Sequence, residues 1–242
     1  MKIVAVIPAR YASTRFPGKP LADIQGKPMI WWVYNSIKKS KRIDEVYVAT
    51  DDKRIEDECK KYNMNVVMTR NDIRTSTERL YEVALDVKAD LYICVNGDEP
   101  LIDYKMVEQI IPNGEIQDEL FVSNLMTKIK KPSEVIDFTN IKVVTDKYQN
   151  ALFFSRSPIP YPKSSLNYDF YKHVGVLIYN FKALEFFATT DRGGLEAIED
   201  INEIRFLENG IKLKMVEVEA ETLSVDTPKD LDKVREMMRN DK

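Results

Sequence analysis

The 242-residue chain carries a single histidine, His173, and two cysteines, Cys59 and Cys94. One histidine excludes a multi-histidine metal centre, and any Ser-His nucleophile pair would depend on that residue alone. The cysteines have no CxxC spacing, so there is no zinc signature, and isolated thiols suit a reducing, cytoplasmic compartment. Glycine is scarce at eight residues, and neither GxGxxG nor GxxxxGK[ST] occurs, which argues against dinucleotide redox and P-loop chemistry. No apolar run approaches the about 20 residues that cross a bilayer. Met1-Lys2-Ile3 leads into a strand rather than a signal peptide, so no membrane partner is expected. Neither sign of charge dominates: a net charge of −3 and a pI near 5.5 exclude nucleic-acid binding driven by overall charge.

What is present is an ordinary globular composition, 44% hydrophobic and 31% charged, enough for a sizeable core. Its most informative stretch is Ile7-Pro8-Ala9-Arg10-Tyr11-Ala12-Ser13-Thr14-Arg15-Phe16-Pro17-Gly18-Lys19-Pro20-Leu21. It follows the apolar run Ile3–Ile7, which reads as a buried strand that Pro8, lacking an N–H, should end. The loop carries Arg10, Arg15 and Lys19 before the first acid of the chain, Asp23. Arginine forks onto two phosphate oxygens and lysine supplies a mobile point charge, so this pattern suits a polyphosphate.

Farther on, strands alternate with helices. Helix is expected from Lys27-Pro28 to Lys39, over 53–62, around 78–84 with Ser76 or Thr77 as cap, over 195–207 and over 228–238. Strands are expected at 45–50, 65–68, 91–95, 173–179 and 212–216, with a hairpin over 141–156. Pro158, Pro160 and Pro162 make 157–166 an extended excursion. This is an α/β pattern with crossover units and a mostly parallel sheet, and it places ligands beyond the carboxyl ends of the strands. One domain over 1–242 with a small β-rich lobe inserted at about 126–180 is expected. Two acids stand at chain turns, Asp98 in Asn96-Gly97-Asp98-Glu99-Pro100 and Asp226 before Thr227-Pro228. Meeting beside a triphosphate, they would make a Mg²⁺ site, because hard oxygen ligands and phosphate oxygens are what Mg²⁺ prefers.

The opening signature resembles that of the 3-deoxy-manno-octulosonate (Kdo) cytidylyltransferases. The likeness continues through Gln25-Gly26-Lys27-Pro28-Met29-Ile30, Val48-Ala49-Thr50-Asp51, Met68-Thr69-Arg70, Thr77-Glu78-Arg79-Leu80, Gly97-Asp98-Glu99-Pro100 and Lys142-Val143-Val144. It ends with Ala151–Arg156, His173-Val174-Gly175 and Val225-Asp226-Thr227-Pro228. The resemblance implies a Rossmann-like, GT-A-type nucleotidyltransferase fold and a homodimer. It implies transfer of CMP from CTP to an acidic sugar, with release of pyrophosphate and with Mg²⁺ as cofactor. Arg10, Ser13, Arg15 and Lys19 would then hold the CTP phosphates, and Arg10, Arg15, Lys19 and Asp98 would form the catalytic set. Pro8, Ala9, Ser76, Thr77, Arg79, Asn96, Gly97 and Asp98 would complete the nucleotide site. Asp98 and Asp226 would bind the metal, and Arg156, His173, Glu196 and Glu199 would face the acceptor. The chain departs from the family pattern at Ile73-Arg74-Thr75-Ser76, Asn96, Leu177 and Asn202-Glu203. Three alternatives therefore stand beside Kdo activation: a different anionic acceptor (amino-Kdo, a sialic-type acid, a phosphate or phosphonate), a non-catalytic nucleotide-binding module, and glycosyl transfer.

Overall fold

In the computed structural model the described residues are 1–12, 15–165, 167–220 and 223–240. The first apolar run becomes β1 (Ile3–Ala9), followed by a 3-10 turn at Lys19–Leu21. Next come the short strands β2 (Asp23–Ile24) and β3 (Lys27–Pro28), helix α1 (Met29–Ile37), β4 (Glu45–Thr50) and α2 (Lys53–Lys61). Then follow β5 (Val66–Met68), α3 (Ser76–Asp86), β6 (Leu91–Val95) and α4 (Tyr104–Glu108). With Glu221–Lys242, which carries the last helix, this stretch makes one compact unit; Gln109–Ala220 makes a second.

In the first unit β1 pairs in parallel with β4 and with β6, and β4 pairs in parallel with β5. β1 does not end at Ile7. It stays in register with β4 through Ala9↔Thr50, while its ladder with β6 stops at Val6↔Cys94. The Pro8 carbonyl points to Gly97, just past β6. The N–H that proline lacks therefore falls where no strand partner remains, and a proline is tolerated. The helix expected from Lys27 starts at Met29, because Lys27 and Pro28 pair back onto Ile24 and Asp23. Gln25 (φ 52°) and Gly26 (φ 81°) form the two-residue connection of that hairpin, a turn that needs positive φ at both positions. α1 buries Met29, Ile30, Val33, Tyr34 and Ile37, a helical stripe facing the sheet. Neither Ser76 nor Thr77 caps α3: Thr75 does, its Oγ1 accepting from Glu78 N–H while the Glu78 carboxylate accepts from Thr75 N–H.

The second unit contains β7 (Val122–Lys128), α5 (Pro132–Ile136), β8 (Lys142–Thr145), β9 (Ala151–Ser155) and β10 (Tyr171–Tyr179). It continues with α6 (Phe181–Thr189), α7 (Gly194–Glu199), α8 (Ile204–Glu208) and β11 (Lys214–Glu217), and α9 (Pro228–Asn240) then returns to the first unit. β7 runs antiparallel to β10 and parallel to β11, and the expected hairpin is β8–β9. Pairing of β11 with β7 makes this unit larger than the 126–180 lobe expected from sequence. Residues 157–165 form neither helix nor strand. The single helix expected over 195–207 is two, because Asp200 takes a left-handed φ of 52° and ends α7.

The interior of this unit holds a charge pair. Glu196 has no exposed surface. Its Oε2 accepts from Arg205 Nε at 2.7 Å, and its Oε1 accepts from Arg205 Nη2 at 2.7 Å. Arg205 Nη1 donates to the carbonyls of Phe187 and Thr190, and the guanidinium lies 3.8 Å from the centre of the Phe187 ring. Every strong polar group of the pair is matched, which is the condition under which such a pair survives burial. Glu196→Ala leaves Arg205 buried without its carboxylate and is expected to cost about 3–5 kcal/mol of unfolding free energy, measured by urea titration. A loss under about 1 kcal/mol would place the pair with ordinary surface ion pairs instead.

Candidate active site

From β1 the chain steps outward to β4 and β5, and then returns to the other side of β1 as β6. The direction of winding reverses between β1 and β6, so the loops leaving their carboxyl ends flank the crevice where α/β sheets bind ligands. The described residues of these loops are 10–12 and 15–18 after β1, and Asn96–Pro100 after β6. The turn after β6 lies so close to β1 and α1 that a Cβ at Gly97 would be 3.1 Å from the Pro8 carbonyl, 3.2 Å from Ile30 Cδ1 and 3.3 Å from Ile7 Cγ2. A side chain there would push these neighbours back by a few tenths of an ångström, so glycine lets the turn after β6 pack this closely against the end of β1.

Two carboxylates from distant parts of the chain meet one ammonium group here. Lys19 Nζ is 2.7 Å from Asp98 Oδ2 and 3.5 Å from Asp226 Oδ1, and Arg15 Nη2 donates to the same Asp226 oxygen at 3.0 Å. Lys19 is placed by the 3-10 turn, and the loop before it is closed by Gly18 N–H donating to the Tyr11 carbonyl at 2.9 Å. Asp226 arrives through its neighbour: Val225 N–H donates to the Asp98 carbonyl at 2.8 Å. Val225 is buried in a cluster with Ile24, Met29, Leu231 and Val234, so α9 packs on the hairpin and α1 and pins the segment before it.

Arg79, on the first turns of α3, is almost wholly buried at 1% exposure. Its Nη2 donates to Asp51 Oδ2 at 3.2 Å and its Nη1 to Thr69 Oγ1. Burial pulls this guanidinium below its ordinary pKa, Asp51 opposes that, and the charge of Arg10 adds to the lowering. Arg10 is exposed and makes no ion pair or hydrogen bond among the described residues. Asp51 and Thr69 thus orient Arg79, a role the sequence pattern did not reveal although both lie in stretches that carry the family resemblance.

A cavity of about 490 Å³ gathers Pro8, Ala9, Arg10, Arg15, Lys19, Ser76, Arg79, Asn96, Gly97, Asp98 and Asp226, all singled out from sequence, together with Ala12 and Pro20, which were not. Thr77 does not line it; its side chain is buried, at 2% exposure. Ser13 lies outside the described residues. The lining holds four cations against two carboxylates, a surplus of positive charge that favours an anionic ligand.

For a metal, the donor set is Asp98 and Asp226. Asp98 Oδ1 is buried with no hydrogen-bond partner among the described residues, a lone pair without a donor. No group of three or more His, Cys, Asp or Glu side chains gathers among the described residues. Two aspartates fit Mg²⁺, which keeps waters and takes phosphate oxygens rather than an all-protein cage.

The residues expected at the acceptor belong to the second unit. Arg156 Nε donates to the Glu199 carbonyl at 2.7 Å, and its Nη1 and Nη2 donate to the carbonyls of Phe138 and Asp200. The Glu199 carboxylate accepts from Ser155 Oγ at 2.6 Å and from Arg156 N–H at 2.9 Å, so these two residues come together. Glu196 is not brought to them; its carboxylate is committed to Arg205 in the interior. His173 is half-buried on β10, its Nδ1 3.0 Å from Asn124 Oδ1.

A model of the cytidylyltransferase family matches residues 4–215. The chain is 42% identical over 251 residues to the 3-deoxy-manno-octulosonate cytidylyltransferase of Geotalea daltonii, covering 99% of each chain. It is 41% identical over 237 residues to the protein of that name from Escherichia coli, covering 98% of this chain and 96% of that one. A solved structure of CMP:2-keto-3-deoxy-manno-octonic acid synthetase complexed with CTP superposes with a TM-score of 0.94 at 41% identity, covering both chains completely. Sequence and fold agree over the whole length, and the chain belongs to the 3-deoxy-manno-octulosonate cytidylyltransferase family.

Proposed function

We propose that the protein activates Kdo by transferring CMP from CTP, with release of pyrophosphate. The observation that carries this reading is the cationic cavity in which Lys19 bridges Asp98 and Asp226 beside Arg10, Arg15 and Arg79. In the reaction the anomeric hydroxyl oxygen of the sugar bonds to the α-phosphorus of CTP. The bond from that phosphorus to the bridging oxygen of the β-phosphate breaks, and the hydroxyl proton is lost. Such a displacement needs in-line positioning and charge stabilisation and no covalent nucleophile. Arg10 is free to meet a phosphate, and Arg15 and Lys19 can exchange their aspartate partners for phosphate oxygens as CTP enters. Asp98 and Asp226, relieved of those cations, would hold Mg²⁺, which when bound supplies neutralisation of phosphate charge. Arg79, held by Asp51 and Thr69, gives the nucleotide side a fixed donor.

On the acceptor side the reading rests on His173, Arg156 and Glu199, with Glu196 as interior support. A homodimer is part of the proposal, supported by the family resemblance and by Ile136, Phe138, Leu152 and Tyr161 of the second unit, which are largely exposed. A cytoplasmic location is proposed with it, in keeping with cysteines that are few, isolated in sequence and buried, Cys59 and Cys94. No helix among the described residues is long and apolar enough to cross a membrane.

The direct test is pyrophosphate release from CTP and Mg²⁺ with and without Kdo. Release only with Kdo is expected; release with other anionic acceptors but not Kdo would move the assignment to them. Lys19→Met should lower kcat by about 10²–10³-fold, the range for removing one preorganised charge from a transition state. Asp98→Asn should abolish Mg²⁺-dependent turnover while calorimetry still detects CTP, and unchanged turnover would remove Asp98 from the metal site. Light scattering should give twice the 28.1 kDa chain mass, and a mass independent of concentration at one chain would dismiss the dimer.

Burial holds the His173 imidazole below its ordinary pKa of 6.5; Glu203 opposes this, and Arg156 adds to it. The neutral ring is thus the folded form, and its stabilising contribution is complete above 6.5 and lost as pH falls through the lower folded value. Because the chain has one histidine, its proton resonance reports this titration unambiguously. The midpoint should fall below 6.5, and a midpoint above it would contradict the burial effect.

A further inference from the structure

The β7–β10 ladder is irregular beside His173. His173 is opposite Met126 and Leu177 is opposite Asn124, so three β10 residues, Val174, Gly175 and Val176, span a stretch where β7 offers only Leu125. A bulge of this kind leaves strand carbonyls without ladder partners. The Asn124 side chain, which has no exposed surface, fills that place. Its Nδ2 donates to the Val174 carbonyl at 2.8 Å and to the Val176 carbonyl at 2.8 Å. Both of its N–H bonds are used, and both partners are pure acceptors. The reverse orientation would set the amide oxygen against two carbonyl oxygens, so the amide is fixed with Oδ1 toward His173.

Oδ1 has lone pairs and no hydrogen. At 3.0 Å from His173 Nδ1 it demands a proton on that nitrogen. The neutral ring then carries its hydrogen on Nδ1 and a bare lone pair on Nε2, and Nε2 makes no hydrogen bond among the described residues. We propose that Asn124 is a positioning residue that locks His173 as the Nδ1–H tautomer, so that Nε2 accepts a hydrogen bond from a hydroxyl of the acceptor sugar. A lone pair at that point repels a carboxylate. His173 therefore reads a hydroxyl, and the acid group of the sugar must be met elsewhere. The proposal rests on His173 facing the acceptor, as in the function proposed above.

Nitrogen-15 NMR of the wild-type protein, labelled at its one histidine, tests the first half without any variant. Expected is a protonated, pyrrole-type Nδ1 and a pyridine-type Nε2; the opposite pattern, or a mixture of the two, overturns the assignment. Asn124→Ala should release the ring to the Nε2–H form that free imidazole side chains prefer. It should also raise KM for Kdo about tenfold, the loss of one substrate hydrogen bond, and leave KM for CTP unchanged. Retention of the Nδ1–H form in that variant overturns the role of Asn124. Adding Kdo with a non-hydrolysable CTP analogue should move the Nε2 resonance and leave Nδ1 in place. An unmoved Nε2 at saturation, with the Nδ1–H form intact, overturns the acceptor role of His173 and leaves the CTP site standing. Protonation of Nε2 on Kdo binding would show that the carboxylate, not a hydroxyl, is read there.

Discussion

One ammonium group ties the reaction centre together. Lys19 Nζ faces carboxylates from the turn after β6 and from the segment before the last helix, and Arg15 shares the second of them. Like charges at that distance repel unless cations lie between them, so the two aspartates can converge only because the opening loop delivers cations to the same point. The same balance makes the site exchangeable. In the proposed function a polyphosphate would compete for the cations and a divalent ion for the aspartates, and the ion pairs hold both carboxylates toward one point. Partial burial strengthens this, since Lys19 and Asp98 are only 14% and 24% exposed at the side chain and the pair is less screened by salt than a surface bridge.

Packing makes the convergence rigid. The turn that carries Asp98 presses on the end of β1 through Gly97, and the backbone bond from Val225 to Asp98 fastens the Asp226 segment to it. The apolar cluster around Val225, Leu231 and Val234 then stops that segment from drifting. The segments that carry Asp98 and Asp226 are thus held by neighbours that carry no charge, the arrangement a preorganised electrostatic site requires. Arg79 is held in turn by Asp51 and Thr69.

The second unit uses polar burial in a different way. Glu196 and Arg205 saturate one another in the interior, Arg156 is spread over three backbone carbonyls, and Asn124 bridges a bulge to His173. Each arrangement satisfies every strong donor it buries. Their shared consequence is fixed orientation of the Arg205 and Arg156 guanidiniums and of the His173 imidazole.

Residue types and their spacing were enough for the anionic character of the ligand and the class of fold. Arg10, Arg15 and Lys19 precede any acid, and alternating apolar runs and helical stripes are local patterns that survive in one dimension. The motif strings were long enough to reach the family. Which atoms meet was decided only in three dimensions. Asp226 joins Lys19 because α9 packs back on the first unit, Thr77 turns inward while Ser76 lines the cavity, and Glu196 finds Arg205 rather than a ligand. The extra strand length past Pro8 and the break at Asp200 also depend on partners and dihedral angles that no residue type specifies. Asn124 is the clearest case. Nothing in its neighbourhood marks it, since its role exists only where β10 bulges opposite it and brings two carbonyls and one imidazole within reach of a single amide.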